Sequence, residues 1–78
     1  MNISTISKSY KLKSLSFTSE KLSFLLVDGR ELSVPLEWFP KLKTAKKKQL
    51  NNWRLIGDGE GIHWPEIDED ILIEKLFD

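Results

Sequence analysis

Apolar and polar positions alternate through most of the first half of the chain. Residues 10–17 predict a first strand, with Tyr10 and Leu12 on one parity and Leu15 and Phe17 on the other. A strand cannot move its inward face to the other parity without an extra residue, so a bulge or a late start is expected at Lys13-Ser14. After the polar turn Thr18-Ser19-Glu20-Lys21, residues 22–27 predict a second strand. It is apolar on both parities except at Ser23, the pattern of a central strand covered on both faces. Asp28-Gly29 leads into a third strand, where Leu32, Val34 and Leu36 alternate with Glu31, Ser33 and Pro35. Asp-Gly between two apolar runs predicts a type I′ hairpin turn, with positive φ at both residues. Pro35 has no N–H to give to a ladder, which places it at a strand end or on a sheet edge.

The period then changes. Glu37-Trp38-Phe39 opens a helical turn that tolerates Pro40 near its start. Trp38, Leu42 and Ala45 follow at helical spacing. Thr44 suits the N-cap of a second helix running to about residue 52, although Lys46, Lys47 and Lys48 then oppose the helix dipole in its first turn. Trp38 and Trp53 are expected in the core, because a thin core needs large aromatic side chains. Residues 53–56 predict a short strand, the alternate glycines Gly57, Gly59 and Gly61 a turn, and Ile62-His63-Trp64 an extended piece stopped by Pro65. Ile71-Leu72-Ile73 fits either a strand or a last helical turn. The expected fold class is α+β: an antiparallel three-stranded meander plus a short additional hairpin, covered by two to three short helices. One domain is expected over residues 10–77, after a flexible N-terminus at residues 1–9.

Composition narrows the class. The 78 residues allow one domain. A hydrophobic share of 40% and a mean hydropathy of −0.33 are too apolar for a disordered chain. No apolar run approaches the roughly 18–20 residues of a membrane-spanning helix. The absence of cysteine removes disulfides, thiolate chemistry and sulfur-based zinc sites. With no signal-peptide pattern at the start, a cytoplasmic protein is expected.

Net charge is zero, which argues against nucleic-acid binding through total charge. The distribution is uneven, however. Residues 40–57 carry Lys41, Lys43, Lys46, Lys47, Lys48 and Arg54 and no acid, whereas in residues 58–78 Lys75 is the only cation among a concentration of carboxylates. Either the two regions adjoin and pair, at about 0–1 kcal/mol per exposed pair, or they steer a partner of complementary charge.

Few residues offer chemistry. Gly57-x-Gly59-x-Gly61 lacks the spacing and the following helix of a dinucleotide fingerprint, and Asp58 and Glu60 would repel phosphate. A tight turn accounts for it. His63 is the single histidine. With Glu60, Glu66 or Asp68 it would make a metal site or a general base, but no second histidine stands at ligand spacing. Trp64 is either a third core aromatic or a recognition anchor. The lysine run lacks any nucleic-acid-binding signature.

The segments Leu32-Ser33-Val34-Pro35-Leu36-Glu37-Trp38-Phe39-Pro40, Asn52-Trp53-Arg54-Leu55-Ile56-Gly57-Asp58-Gly59-Glu60-Gly61-Ile62-His63-Trp64-Pro65 and Asp68-Glu69-Asp70-Ile71 resemble the bacterial family called domain of unknown function 2442. The Gly-Ile-His-Trp-Pro stretch is the most specific part. The chain departs from the family at Ala45-Lys46-Lys47-Lys48, where a Pro- and Glu-rich helix start is usual. The resemblance implies a small α+β domain, found alone or ahead of a helix-turn-helix domain, and often encoded beside another small protein in the manner of toxin–antitoxin pairs. It implies no catalytic residues.

The function expected is a non-enzymatic protein-interaction module, antitoxin-like or regulatory, that binds a small protein partner. The expected contact residues are Gly57, Gly59, Glu60, Gly61, His63, Trp64, Pro65, Asp68, Glu69 and Asp70. No cofactor or metal is expected. A homodimer through an open sheet edge is a further expectation. The alternative is a small metal-assisted enzyme centred on His63 and its neighbouring carboxylates.

Overall fold

The expected meander is present in a computed structural model that describes residues 9–77. Leu12–Phe17 (β1), Lys21–Leu26 (β2) and Glu31–Pro35 (β3) pair antiparallel in the order β1-β2-β3. The N-terminal segment expected to be flexible, apart from Ser9, lies outside the described residues. The parity conflict in β1 is resolved by a register shift between Leu12 and Ser14, so Leu12, Leu15 and Phe17 all face inward with Phe24 and Leu22. β2 is central but is not covered on both faces. Its other side carries Ser23 between Ser16 and Ser33, and the Ser23 and Ser33 hydroxyls lie 2.8 Å apart. Leu25 on that side is only half-buried.

The β2–β3 turn differs from type I′. Only Gly29 takes a positive φ, +94°. The loop is Val27-Asp28-Gly29, closed by Gly29 N–H to the Leu26 carbonyl and Leu26 N–H to the Arg30 carbonyl. This is the three-residue hairpin in which a turn is followed by a glycine bulge. Asp28 keeps the negative φ ordinary for an L-residue, and its carboxylate is engaged on three sides. Oδ2 accepts from the Ser9 N–H and from Arg30 Nε, and Oδ1 accepts from the Arg30 N–H. Arg30 also donates to the Ser9 carbonyl and lies over the rings of Tyr10 and Phe77, 5.1 and 4.8 Å from their centroids. One guanidinium thus ties the hairpin turn to both ends of the described chain.

The helical elements are shorter than expected. A 3-10 turn, Leu36–Trp38, precedes two single-turn helices, Pro40–Lys43 (α1) and Lys47–Leu50 (α2). Thr44 ends α1, with its hydroxyl donating to the Pro40 carbonyl. Lys46 is the N-cap of α2, and its N–H donates to Gln49 Oε1. Trp38 is not a core residue; it is 61% exposed. In a 3-10 turn, residues i and i+3 eclipse. Leu36 and Phe39 take the core side, and Trp38 points away from it. Trp53 is half-buried against the core.

Arg54–Ile56 (β4), Gly61–Trp64 (β5) and Glu69–Leu72 (β6) form a second antiparallel sheet, ordered β4-β5-β6. The fold class is α+β, but the expected additional hairpin is a second meander. Residues 71–72 belong to β6, and a 3-10 turn, Ile73–Phe77, ends the described chain. The reason is coverage. Leu42 is the only fully buried side chain contributed by α1 and α2, too little to cover a three-stranded sheet. Ile62, Trp64, Ile71 and Ile73 complete the cover and join Leu12, Leu22, Phe24, Leu26 and Val34 in one core.

Two outcomes follow. Gly29→Val should destabilise the fold by more than about 1 kcal/mol, since β-branched residues resist positive φ; an unchanged denaturation midpoint would contradict this turn. Asp28 has its pKa held below the ordinary 3.8, first by the Ser9 and Arg30 N–H groups and then by the Arg30 guanidinium. Its contribution is therefore complete above the ordinary value and is lost as pH falls through the lower folded value. Asp28→Asn should be less stable than wild type at about pH 6, and the difference should shrink as pH falls below 3.8 through the lowered folded value. A difference that is constant with pH would contradict the assignment.

Candidate functional site

The register of the second sheet sorts its residues onto two faces. Leu55, Ile62 and Ile71 stand opposite one another, as do Trp64 and Glu69, so these share one parity; it faces the core at Ile62, Trp64 and Ile71, whereas Leu55 on the edge strand is 46% exposed. Arg54, His63 and Asp70 form a cross-strand row of the other parity, and Ile56, Gly61 and Leu72 form the next row beside it.

Trp64 is 0% exposed. Its Nε1–H donates to the Leu50 carbonyl at 3.0 Å, and its ring meets Phe17 edge-on at 6.5 Å between centroids. The indole is a core residue and not a surface anchor, because strand alternation turns it inward once Ile62 is inward. The same alternation turns His63 outward. His63 Nδ1 lies 2.5 Å from Asp70 Oδ1. An ionised carboxylate only accepts, so Nδ1 is the donor of this pair and the Nε2 edge of the ring faces away from Asp70. Arg54 flanks the pair from β4, exposed and with no carboxylate within salt-bridge distance among the described residues.

Gly61 sits between Ile56 and Leu72 and is itself buried. A Cβ there would stand 2.9 Å from the Ile71 carbonyl oxygen, 2.9 Å from Leu72 Cδ2 and 3.1 Å from Ile56 Cδ1. The two aliphatic side chains therefore close over the glycine and make a small apolar seat beside the His63–Asp70 pair.

The other expected contact residues are dispersed. Gly57, Gly59 and Glu60 form the β4–β5 turn, which bonds to the first sheet through the Gly59 carbonyl. The Leu12 N–H donates to the Gly59 carbonyl, and the Ile73 N–H donates to the Glu60 carbonyl. Glu60 Oε2 accepts from the Asp58 N–H. Pro65 and Asp68 lie in the turn at the opposite end of β5, roughly 13 Å away at strand rise. Asp68 takes a positive φ of 49°, and its carbonyl accepts from Lys41 Nζ. Glu69 opens β6.

Among the described residues no three His, Asp or Glu side chains converge as a metal site, so Glu60, Glu66 and Asp68 do not assemble around His63. The outward residues Arg54, Ile56 and Leu72 escape sequence reasoning because strand register, not local pattern, brings them beside His63.

The family model for a protein of unknown function (DUF2442) matches residues 12–78. The chain belongs to this family. A crystal structure of a protein of unknown function from Rhodospirillum rubrum is similar, with a TM-score of 0.71, 23% identity, and coverage of 86% of this chain and 83% of that one. It shares the fold. No curated protein matches the chain.

Gly61→Ala should destabilise by about 1–3 kcal/mol, because a backbone oxygen and two packed side chains must give way. Retained stability in thermal melting would mean that Ile56 and Leu72 do not close over this position.

Proposed function

We propose that this member of the DUF2442 family is a protein-interaction module that docks a small protein through the outer face of its second sheet. The observation carrying this reading is the uncovered pair of rows on β4, β5 and β6. An apolar seat at Ile56 and Leu72 adjoins a polar strip of Arg54, His63 and Asp70. An apolar centre with a polar rim is the anatomy of a protein interface. The partner would pack one apolar side chain on top of Ile56 and Leu72 and place a carboxylate against Arg54. His63, oriented by Asp70, presents its Nε2 edge to the partner. An antitoxin-like or regulatory role is a special case in which this partner is a neighbouring small protein.

The glycine turn and Trp64 act in this scheme as scaffold. They hold β5 in place and do not touch the partner.

The enzyme alternative uses the same histidine. The Asp70–His63 pair has the form of an oriented base or metal ligand. Stoichiometric binding of zinc or manganese by the wild type, lost in His63→Gln, would favour it over docking.

Capture from native cells, with the captured protein identified by mass spectrometry, tests the docking reading. Leu72→Asp should lose the partner while its circular dichroism remains that of the folded protein, whereas Val27→Asp, a change at an exposed residue of the first sheet's turn, should retain it. Retention by Leu72→Asp would move the interface elsewhere. Self-association in sedimentation that Leu72→Asp abolishes would make the partner a second copy of the chain.

A further inference from the structure

One long edge of the first sheet is open. β3 ends the order β1-β2-β3, and its pairing with β2 shows which of its backbone groups are spent. The Leu26 N–H donates to the Arg30 carbonyl and the Leu36 N–H to the Glu20 carbonyl. Between them Leu32 stands opposite Phe24 and Val34 opposite Leu22. Hydrogen-bonded pairs alternate along an antiparallel ladder. The even-numbered residues of β3 therefore bond to β2, and Glu31, Ser33 and Pro35 turn their backbone groups to the open side. All three are exposed. Among the described residues no hydrogen bond from outside the sheet reaches their backbone.

The other edges are engaged, short or charged against themselves. β1 gives its Leu12 N–H to the Gly59 carbonyl and is bent by its register shift. β4 is Arg54–Ile56 alone. β6 begins with Glu69 and Asp70, so pairing with its own copy would bring like charges together.

We propose that β3 pairs with β3 of a second copy of this chain, antiparallel about a two-fold axis at Ser33, so that the first sheets of the two copies form one continuous sheet. The strand is complementary to itself in this register. All residues from Glu31 to Pro35 are paired. The two Ser33 residues exchange N–H···O bonds in both directions, and each Glu31 N–H meets the carbonyl of the partner's Pro35. Proline guards an edge because it has no N–H to offer. Here it stands where its carbonyl serves as the acceptor, and the Glu31 carbonyl opposite it stays with water. An axis at Leu32 would pair only residues 31–33 and leave Pro35 against the partner's Gly29 turn. Charge supports the same register. Lys21 stands opposite Pro35 on β2, and the pairing sets the partner's Glu31 on the other side of that proline. Lys21 and Glu31 are both exposed, and neither has an ion-pair partner among the described residues. On the inner side, half-buried Leu32 comes opposite the partner's Val34. An edge pairing is small beside the roughly 1,200–2,000 Å² of a stable interface, so this dimer is weak and reversible. It uses none of the residues proposed above for docking.

Sedimentation of the whole chain at concentrations up to about 1 mM tests the proposal. The wild type should pass from monomer to dimer as concentration rises. Ser33→Pro removes the N–H groups at the axis, which the monomer does not use, and should weaken self-association by at least about tenfold with the circular dichroism of the folded protein. Leu72→Asp should leave the dimer intact. Because the chain has no cysteine, cross-linking by a short bismaleimide reads the register independently. Ser33→Cys should cross-link into a dimer. Ser16→Cys, two strands further in on the same row, should not. If Ser33→Pro fails to fold, the cross-linking comparison decides alone. A wild type that stays monomeric overturns the proposal and leaves the edge to a strand of another protein. A dimer that Ser33→Pro leaves unchanged, one that Leu72→Asp abolishes, or equal cross-linking at the two positions overturns it as well.

Discussion

The buried indole of Trp64 meets three parts of the chain at once. Phe17 packs on its ring from β1, the Leu50 carbonyl accepts its N–H at the end of α2, and β5 carries it into the core. A buried indole without a partner for its N–H is costly, and a cavity left by its removal would cost about 3–5 kcal/mol. With Trp64 inward, β5 has no freedom of parity. Ile62 must also face inward, and Gly61 and His63 must face outward. The pairing of β4 and β6 with β5 then sets the whole outer face, including the position of Asp70 against His63. The candidate docking surface is thus a consequence of how the core is closed.

Much of the first sheet was legible in the sequence because period-2 patterning is a local signal. The parity change between Leu12 and Leu15 located the register shift, and the alternation from Leu32 to Pro35 located β3. The turn type was misjudged because Asp-Gly also fits the longer loop, in which the carboxylate of Asp28 is held by Ser9 and Arg30. Those contacts link residues far apart in sequence. Trp38 was misplaced for a different reason. Helical spacing grouped it with Leu42, but the chain forms a 3-10 turn there, and a change from 3.6 to three residues per turn sends the side chain outward.

The site was legible only in part. The stretch containing His63, Asp70 and the glycines is identified from its composition, but its residues divide among two turns and two strands. Adjacency in sequence groups these residues as one contact surface; the sheet separates Gly57 and Gly59 from Pro65 and Asp68 by the length of β5. Arg54, Ile56 and Leu72 carried no signal of their own, since their meaning depends on pairing with His63 and Gly61. The charge asymmetry was visible throughout, yet its outcome was not. The basic and acidic segments adjoin through Lys41 and Asp68 and through Asn52 and Glu66, with no ammonium–carboxylate pair between them among the described residues.

The central claim is that an inward Trp64 fixes an outward His63. Hydrogen exchange of the three indole N–H groups, followed by NMR, tests it most directly. The Trp64 indole N–H, buried and bonded to Leu50, should exchange far more slowly than that of Trp38, and should show through-space contacts to Leu50 and Phe17. Exchange at Trp64 as fast as at Trp38, without those contacts, would contradict the account.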